Sequence, residues 1–552
     1  MPYISSLGFE RFRTFDQPAT FDFAPLTIIT GPNSSGKSSI LKSLLLLRGS
    51  IRKEGFVGIE DYTGSGILRS LNFTGDEHGL RGIESIRTRW SDRASVRFSV
   101  GVEDALGTVL PSMMDRDATQ REVAAFNAGI TPQGDQEFTW PSPIIFDLSF
   151  RLQNARLFDI RIYDGSGPEE KLIGRITSPE APIDYASYWD GTDNPLEVPI
   201  DTEYEVSGSW LIQHLGTDFE SFCANLRVPR GKAAYEAYER LERPLIGRSD
   251  EGIAGLEALY TRLPSVLFDE ASGDSDVSTF MRRLALYTVA PLFRTAVSSF
   301  LHAFSAIEHH RFSLISQDTT CVQLGSGLGM YLRGELSNVL DWSLQYWMNL
   351  FGMGDWLKVE SIPGSHRLYN VAVMRDGQPF QFGELGSGHR QLLPFFLRLG
   401  VTADQQCPFL LEEPEVNLHP NLQARLADLF VSVTSETPQL PWSEYAMFTL
   451  SDKVEPVERP PDKAPFYLPT HQLIVETHSE YLIRRLQYLV ASGHASSENV
   501  VIYYLGTDPR AKDYIRRIRI TPNGQLSQPF GSGFTDEATN LMVDLYKQSS
   551  QN

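Results

Sequence analysis

The sequence predicts an α/β fold: a mixed, largely parallel sheet with an antiparallel β subdomain at one end and an inserted α+β segment. Three observations carry this. "LTIIT" (26–30) has the apolar run of a buried strand and feeds a Gly-rich turn, and "SSILKSLLLL" after it has the pattern of a helix. "FLLEEPEVNLHP" (409–420) and "HQLIVETHSEYLIRR" (471–485) are two more apolar strands that end abruptly in polar residues, as central parallel strands do. "YISSLGFERF" and "ATFDFAPLTIIT" alternate in the manner of antiparallel strands.

Bulk composition sets the frame. A chain of 552 residues is too long for one compact unit; length alone suggests about three or four domains. Hydrophobic content of 41% and charged content of 21% are ordinary for a globular protein. The N-terminus "MPYISSLGFERFRTF" has no apolar h-region, and no stretch reaches the roughly 18 apolar residues of a membrane span. Cys223, Cys321 and Cys407 lie far apart and form no CxxC pair, which disfavours a disulfide framework or a zinc site and fits a reducing compartment. A cytoplasmic location without membrane attachment is the expectation. A net charge of -20 repels phosphate backbones on average, so wholesale coating of DNA is disfavoured, although a local basic groove stays open.

Along the chain, three regions separate. Residues 1–110 form an N-terminal lobe that includes the strand "ASVRFSVGVED". Residues 111–304 lose regularity under frequent Gly, Pro and Asp, with strands at "PIIFDLSF" and "RLFDIRIYDG" and a helical stretch "VSTFMRRLALYTVAPLFRTAVSSFLHAF" broken at Pro291. No heptad register is sustained there, so a long coiled-coil arm is not expected. Residues 305–552 form a C-terminal lobe, with a helix at "LRGELSNVLDWSLQYWMNLFG" and strands at "WLKVESI" and "LYNVAVMRDGQPFQF". Within it, 436–470 is Pro-rich and reads as an exposed loop, either a partner surface or an inert insertion.

The turn after "LTIIT" carries the first chemistry. Gly31-Pro32-Asn33-Ser34-Ser35-Gly36-Lys37-Ser38 satisfies G-x-x-x-x-G-K-[ST]. Glycines let successive backbone N–H groups curl toward phosphates, and the helix N-terminus adds partial positive charge. Asn33, Ser34, Ser35, Gly36, Lys37, Ser38 and Ser39 are the expected ATP-binding residues. Lys37 would reach the β- and γ-phosphates, and the Ser38 hydroxyl would ligate Mg²⁺. At the end of the 409–413 strand, Glu412 would sit beside Mg²⁺, and Glu413 would orient and deprotonate the attacking water. His478, at the end of the 471–476 strand, would contact the γ-phosphate or that water. "FGELGSGHRQLLPFFLRLG" (382–400) is a Gly-Ser-Gly turn opening a helix, a second phosphate site best used on the nucleotide of another copy.

Together these segments resemble the ABC-type ATPase head, in its RecF, structural-maintenance-of-chromosomes and overcoming-lysogenisation-defect branch. "LGSGHRQ" is similar to the signature "LSGGQRQ": Leu385, Gly388, Arg390 and Gln391 match, while Gly386 and Ser387 exchange small residues. "GPNSSGKSS", "EEPEVNLHP" and "ETHSEYLI" look like the same branch, and the tail resembles small stand-alone AAA-family ATPases of anti-phage systems such as the Septu ATPase subunit. The resemblance covers roughly residues 1–80 and 305–545. It implies two heads sandwiching two ATP molecules, with Gly386, Ser387, Gly388 and Gln391 of one head completing the site of the other. It also implies Glu413 as catalytic carboxylate, His478 as switch, and Glu415 to His419 as a loop at the dimer interface. The sequence departs from the pattern where Glu412 stands in place of the usual aspartate.

Two further features carry weaker signals. "AIEHHRF" (306–312) has adjacent histidines that on a strand point to opposite faces, with no third ligand nearby, so a metal site there is disfavoured; Arg311 could meet a nucleotide or an acidic neighbour. "RVPRGKAAYEAYERLERPLIGR" (227–248) and "YIRRIRI" (514–520) are basic, the first reading as a solvated helix face and the second as the charged face of an edge strand, with phosphate contact the competing reading. The functional expectation is an ATP- and Mg²⁺-dependent, homodimerising ATPase that switches a partner effector, with a nuclease the leading candidate, in phage defence. The competing readings are a RecF-like ATPase that maintains DNA through nucleic-acid binding, and a self-sufficient ATP-dependent nuclease.

Overall fold

The structure is a computed structural model that describes residues 3–53, 66–87, 95–103, 142–177, 203–206, 300–311, 338–361, 369–402, 407–435, 471–531 and 537–549, with a few positions inside these ranges left out. The Pro-rich stretch 436–470, the basic run 227–248, Cys223, Cys321 and most of the helical stretch 277–304 lie outside the described residues.

The strands in chain order are β1 Tyr3–Glu10, β2 Ala19–Asp22, β3 Leu26–Thr30, β4 Ile51–Lys53, β5 Gly66–Leu68 and β6 Ser95–Glu103. They continue with β7 Ile144–Arg151, β8 Leu157–Asp164, β9 Lys171–Thr177, β10 Glu203–Val206, β11 Glu308–Arg311 and β12 Trp356–Ser361. Last come β13 Tyr369–Arg375, β14 Gln378–Gln381, β15 Pro408–Glu412, β16 Gln472–Glu476, β17 Val500–Leu505 and β18 Ile515–Arg519. The helices are α1 Lys37–Ser50, α2 Asn338–Leu350, α3 Ser387–Val401, α4 Pro420–Thr434, α5 Glu480–Ala491 and α6 Glu537–Ser549.

The chain divides into two compact units. One comprises Met1–Asp22 and Lys42–Ser305, the other Phe23–Leu41 and Ala306–Asn552. In the first, an antiparallel sheet runs β10-β9-β8-β7-β6-β1-β2. Strand β2 alternates buried and exposed residues, which is the pattern of a sheet with one covered face. Its core is aromatic: Phe9 packs edge-on to Phe15 at 4.6 Å, and Phe98 touches both Phe12 and Phe150.

In the second unit, β11-β15-β16-β3-β17-β18 form a mixed sheet. Every pairing is parallel except that of β17 with β18. Strands β3, β15, β16 and β17 are buried along their whole length, because helices cover both faces of a parallel sheet. Helices α4 and α5 supply Leu426, Phe430, Leu482 and Leu486 to this core, and α3 supplies Leu392, Phe395 and Phe396. Strand β18 carries Arg516, Arg517 and Arg519 at the sheet edge, as an edge strand tolerates. The mixed α/β class, with one antiparallel sheet and one largely parallel sheet, matches the sequence expectation. No long coiled coil occurs among the described residues.

Candidate functional site

Parallel pairing brings the C-terminal ends of β3, β16 and β15 to one edge of the second unit's sheet, the edge where open α/β sheets hold ligands. Strand β16 stands between the other two. Register sets Glu412 opposite Glu476, and backbone bonds continue past the strands: Thr477 N donates to Ile29 O at 3.0 Å and Glu413 N to Glu476 O at 2.9 Å.

The 31–38 loop leaves β3 at this edge. Gly31 has φ +143, and a Cβ there would lie 2.3 Å from the Leu505 carbonyl oxygen, so only glycine fits. Gly36 (φ +94) and Ser34 (φ +63) make the other left-handed turns. Asn33 and Ser34 are exposed at the tip, whereas Ser35, Lys37 and Ser39 are buried. The Tyr514 hydroxyl donates to the Ser35 carbonyl and ties the loop from beneath. Lys37 Nζ donates to Pro32 O at 2.8 Å. Desolvation lowers the Lys37 pKa, and the charges of Glu476 and Glu413 oppose that lowering.

Among the carboxylates, the structure distributes partners in a way the sequence did not indicate. Ser38 Oγ donates to Glu476 Oε1 at 2.8 Å. Burial pushes the Glu476 carboxyl up to about 7, against the Ser38 hydrogen bond and the Lys37 charge, with Glu412 and Glu413 pushing the same way as burial. Glu412 is buried and turned toward β11, its Oε1 3.0 Å from His309 Nε2 and its Oε2 2.9 Å from Arg311 Nε. Arg311 thus meets an acidic neighbour. His310 points to the other face and packs against Phe395 and Phe409. Glu413 is half-buried with φ +51, an uncommon conformation for a side-chain-bearing residue at the end of a strand.

The polar loop after Glu413 is locked to the end of β16. Glu415 Oε1 accepts from His478 N at 2.6 Å, and burial raises the Glu415 pKa. Gln423 Nε2 donates to Leu418 O at 3.0 Å, and its Oε1 accepts from Ser479 Oγ at 2.8 Å. Ser479 also caps α5, accepting from Leu482 N. His478 itself is exposed; desolvation and the Lys37 charge lower its pKa, while Glu413 raises it.

At the start of α3, Gly386 is exposed, Ser387 is half-buried and Gln391 is buried. Gly388 abuts the 413–419 loop, where a Cβ would lie 2.8 Å from Asn417 O. The second unit thus holds together Lys37, Ser38, Glu412, Glu413, Glu476 and the β16 terminus, and separately joins the signature turn to the loop after Glu413. Sequence reasoning missed Glu476, Tyr514 and Gln423. Glu476 was within reach of the rule applied to Glu412 and Glu413, since "QLIVE" is also an apolar strand ending in a carboxylate.

Ser38 and Glu476 offer oxygen to a divalent cation at this edge, whereas Glu412, the carboxylate expected beside it, has its two oxygens on His309 and Arg311. Glu476 Oε2 is buried without a hydrogen-bond partner among the described residues. Such a set fits Mg²⁺, which takes few protein ligands and completes its shell with water and phosphate. No group of three or more His, Cys, Asp or Glu that could hold a metal by itself occurs among the described residues. Burial raises the Cys407 thiol to about 12, which leaves it no role as a nucleophile.

Residues 371–484 match the family described as "AAA domain, putative AbiEii toxin, Type IV TA system", and residues 6–53 match a family described as "AAA domain". No curated protein matches the chain. Among solved structures, the Smc head domain of Pyrococcus furiosus bound to the C-terminal domain of ScpA is similar at 10% identity, with 99% of this chain and 100% of that chain covered and a TM-score of 0.36. The SMC head domain of Thermotoga maritima is similar at 10% identity over 94% of this chain and 99% of that chain, with a TM-score of 0.30. The Smc head domain of Pyrococcus yayanosii is similar at 9% identity over 95% and 98%, with a TM-score of 0.36. The phosphate loop lies within the 6–53 match, and the acid-ended strands β15 and β16 lie within the 371–484 match, so the site falls in the segments similar to AAA domains.

Proposed function

We propose that the chain binds and hydrolyses ATP with Mg²⁺, and that two copies close head to head on nucleotide to switch a partner protein. One observation supports the ATPase reading above the rest: a phosphate loop with buried Lys37 beside two strand-end carboxylates, Glu413 and Glu476. Lys37 and the backbone N–H groups of Asn33 to Ser39 would hold the phosphates. Mg²⁺, when bound, would neutralise phosphate charge. Glu413, fixed by its backbone bond to β16, is the base for the attacking water, and His478 is positioned to sense the γ-phosphate.

The head-to-head arrangement is supported by the exposure of Gly386 at the mouth of α3, a helix N-terminus open to an incoming phosphate. The α3 turn also touches the loop that follows Glu413, so closure on a second head would bear directly on the catalytic carboxylate. The partner is read as a protein effector, a nuclease being the leading class, because the net charge of -20 opposes nucleic acid. The anti-phage role follows from the resemblance of the motifs alone. Among the described residues no helix is long and apolar enough to cross a membrane.

The test is to isolate Glu413→Gln chain with ATP from its native host. This variant should retain ATP and turn over at least ~100-fold slower, the scale of a lost general base. A stoichiometric second protein supports the switch. Salt-labile nucleic acid without one supports a DNA-maintenance role instead.

A further inference from the structure

We infer that the carboxylate completing the cation site with Ser38 is Glu476 of β16, and that Glu412 of β15 serves as the anchor of β11. This rests on the ATP-binding reading above and adds an assignment of its own. Strand β16, which ends in Glu476, pairs directly with β3. Strand β15 is one place further away.

Two sets of contacts separate the two glutamates. Glu476 holds the Ser38 hydroxyl through Oε1 at 2.8 Å. Its second oxygen is buried and meets no donor among the described residues. A buried, unpartnered carboxylate oxygen costs free energy unless something positive arrives to meet it. The residue is 4% exposed, so bulk water does not offer that compensation freely. Glu412 is the opposite case. Both its oxygens are engaged, Oε1 with His309 and Oε2 with Arg311.

Those two partners alternate along β11, which pairs in parallel with β15 in a register that sets Arg311 opposite Glu412. Glu308 of the same strand takes Arg398 of α3. Strand β11 is short and lies at the sheet edge. Charged contacts at both of its ends therefore fix it where backbone pairing is least. Withdrawing Glu412 to bind a cation would leave Arg311 and His309 without their shared acceptor. The extra methylene of Glu412 relative to aspartate has its use here, reaching sideways to β11.

The experiment measures Mn²⁺ binding by electron paramagnetic resonance to the full chain saturated with a non-hydrolysable ATP analogue, for wild type, E476Q and E412Q. Nucleotide binding in EDTA is measured in parallel and tests the ATP reading separately: a wild-type chain that holds no nucleotide under any condition ends that reading. With nucleotide bound, E476Q should weaken Mn²⁺ at least ~10-fold, as loss of a metal-site group does, while E412Q changes it less than ~3-fold and lowers the melting temperature instead. An equal or larger loss of Mn²⁺ in E412Q overturns the assignment. If E476Q holds no nucleotide in EDTA, the charge-preserving E476D is read by the same criteria.

Discussion

The α carbon of Gly388, in the first turn of α3, lies so close to the Asn417 carbonyl that a methyl group there would sit 2.8 Å from that oxygen and 2.6 Å from Leu418 Cδ2. The Leu418 side chain could turn aside, but the Asn417 backbone cannot, since Asn417 already occupies φ +62. Gly388→Ala should therefore cost roughly 1–3 kcal/mol, the scale of an overpacked contact. Denaturant unfolding checks this. An unchanged midpoint would contradict the close approach. ATP affinity should stay within ~3-fold, because the phosphate loop is tied elsewhere, through Tyr514.

Lys37→Ala removes a cationic side chain whose charge acts on both Glu476 and His478. The phosphates then face Glu413 and Glu476 without it. Binding of a fluorescent ATP analogue should fall below detection while the melting temperature in the absence of nucleotide stays near wild type. Undiminished affinity would remove the phosphate-loop assignment.

Ser387→Arg places a long cation at the start of α3, where the adjoining Gly386 is exposed. It should leave ATP binding to a single chain intact and block association of two heads. Sedimentation velocity with the Glu413→Gln background and ATP provides the readout. A dimer that forms as before would argue against a composite site.

The strand, turn and helix around the 31–38 loop could be read directly from the sequence. "LTIIT" coincides with β3, and α1 begins at Lys37, because an apolar run, a Gly-bounded turn and a helical pattern are all local signals. The Asp376-Gly377 turn between β13 and β14 is local in the same way. Partner choice among the acids is not local. Glu412 and Glu476 end strands of the same apolar kind, and nothing in either segment says that one meets Ser38 and the other His309 and Arg311. That depends on the order β11-β15-β16-β3, which joins residues separated by more than 400 positions. The same holds for β7 and β8, legible as strands in "PIIFDLSF" and "RLFDIRIYDG", where nothing says that they extend the sheet of β1.

His471 makes an acid-sensitive contribution to the stability of the fold. It lies at the entry to β16, 2% exposed, with Nδ1 accepting from Cys407 N at 3.2 Å. Burial lowers its pKa from 6.5 to about 4, against the opposing influence of backbone groups of Leu399 and Cys407. In the unfolded chain the same imidazole protonates near 6.5. Between these values the unfolded state binds the proton that the folded state refuses, so stability is full above about 6.5 and falls as pH drops toward 4. The loss amounts to roughly 3 kcal/mol from this group. Glu476, raised to about 7, works in the other direction over part of the range, since there the folded state binds the extra proton. A comparison with His471→Asn isolates the histidine: the variant should be less stable at pH 7.5, and the gap to wild type should close as pH falls to 4.5. Denaturant midpoints at a series of pH values give the measurement, and a gap that stays constant with pH would show that His471 does not titrate in this way.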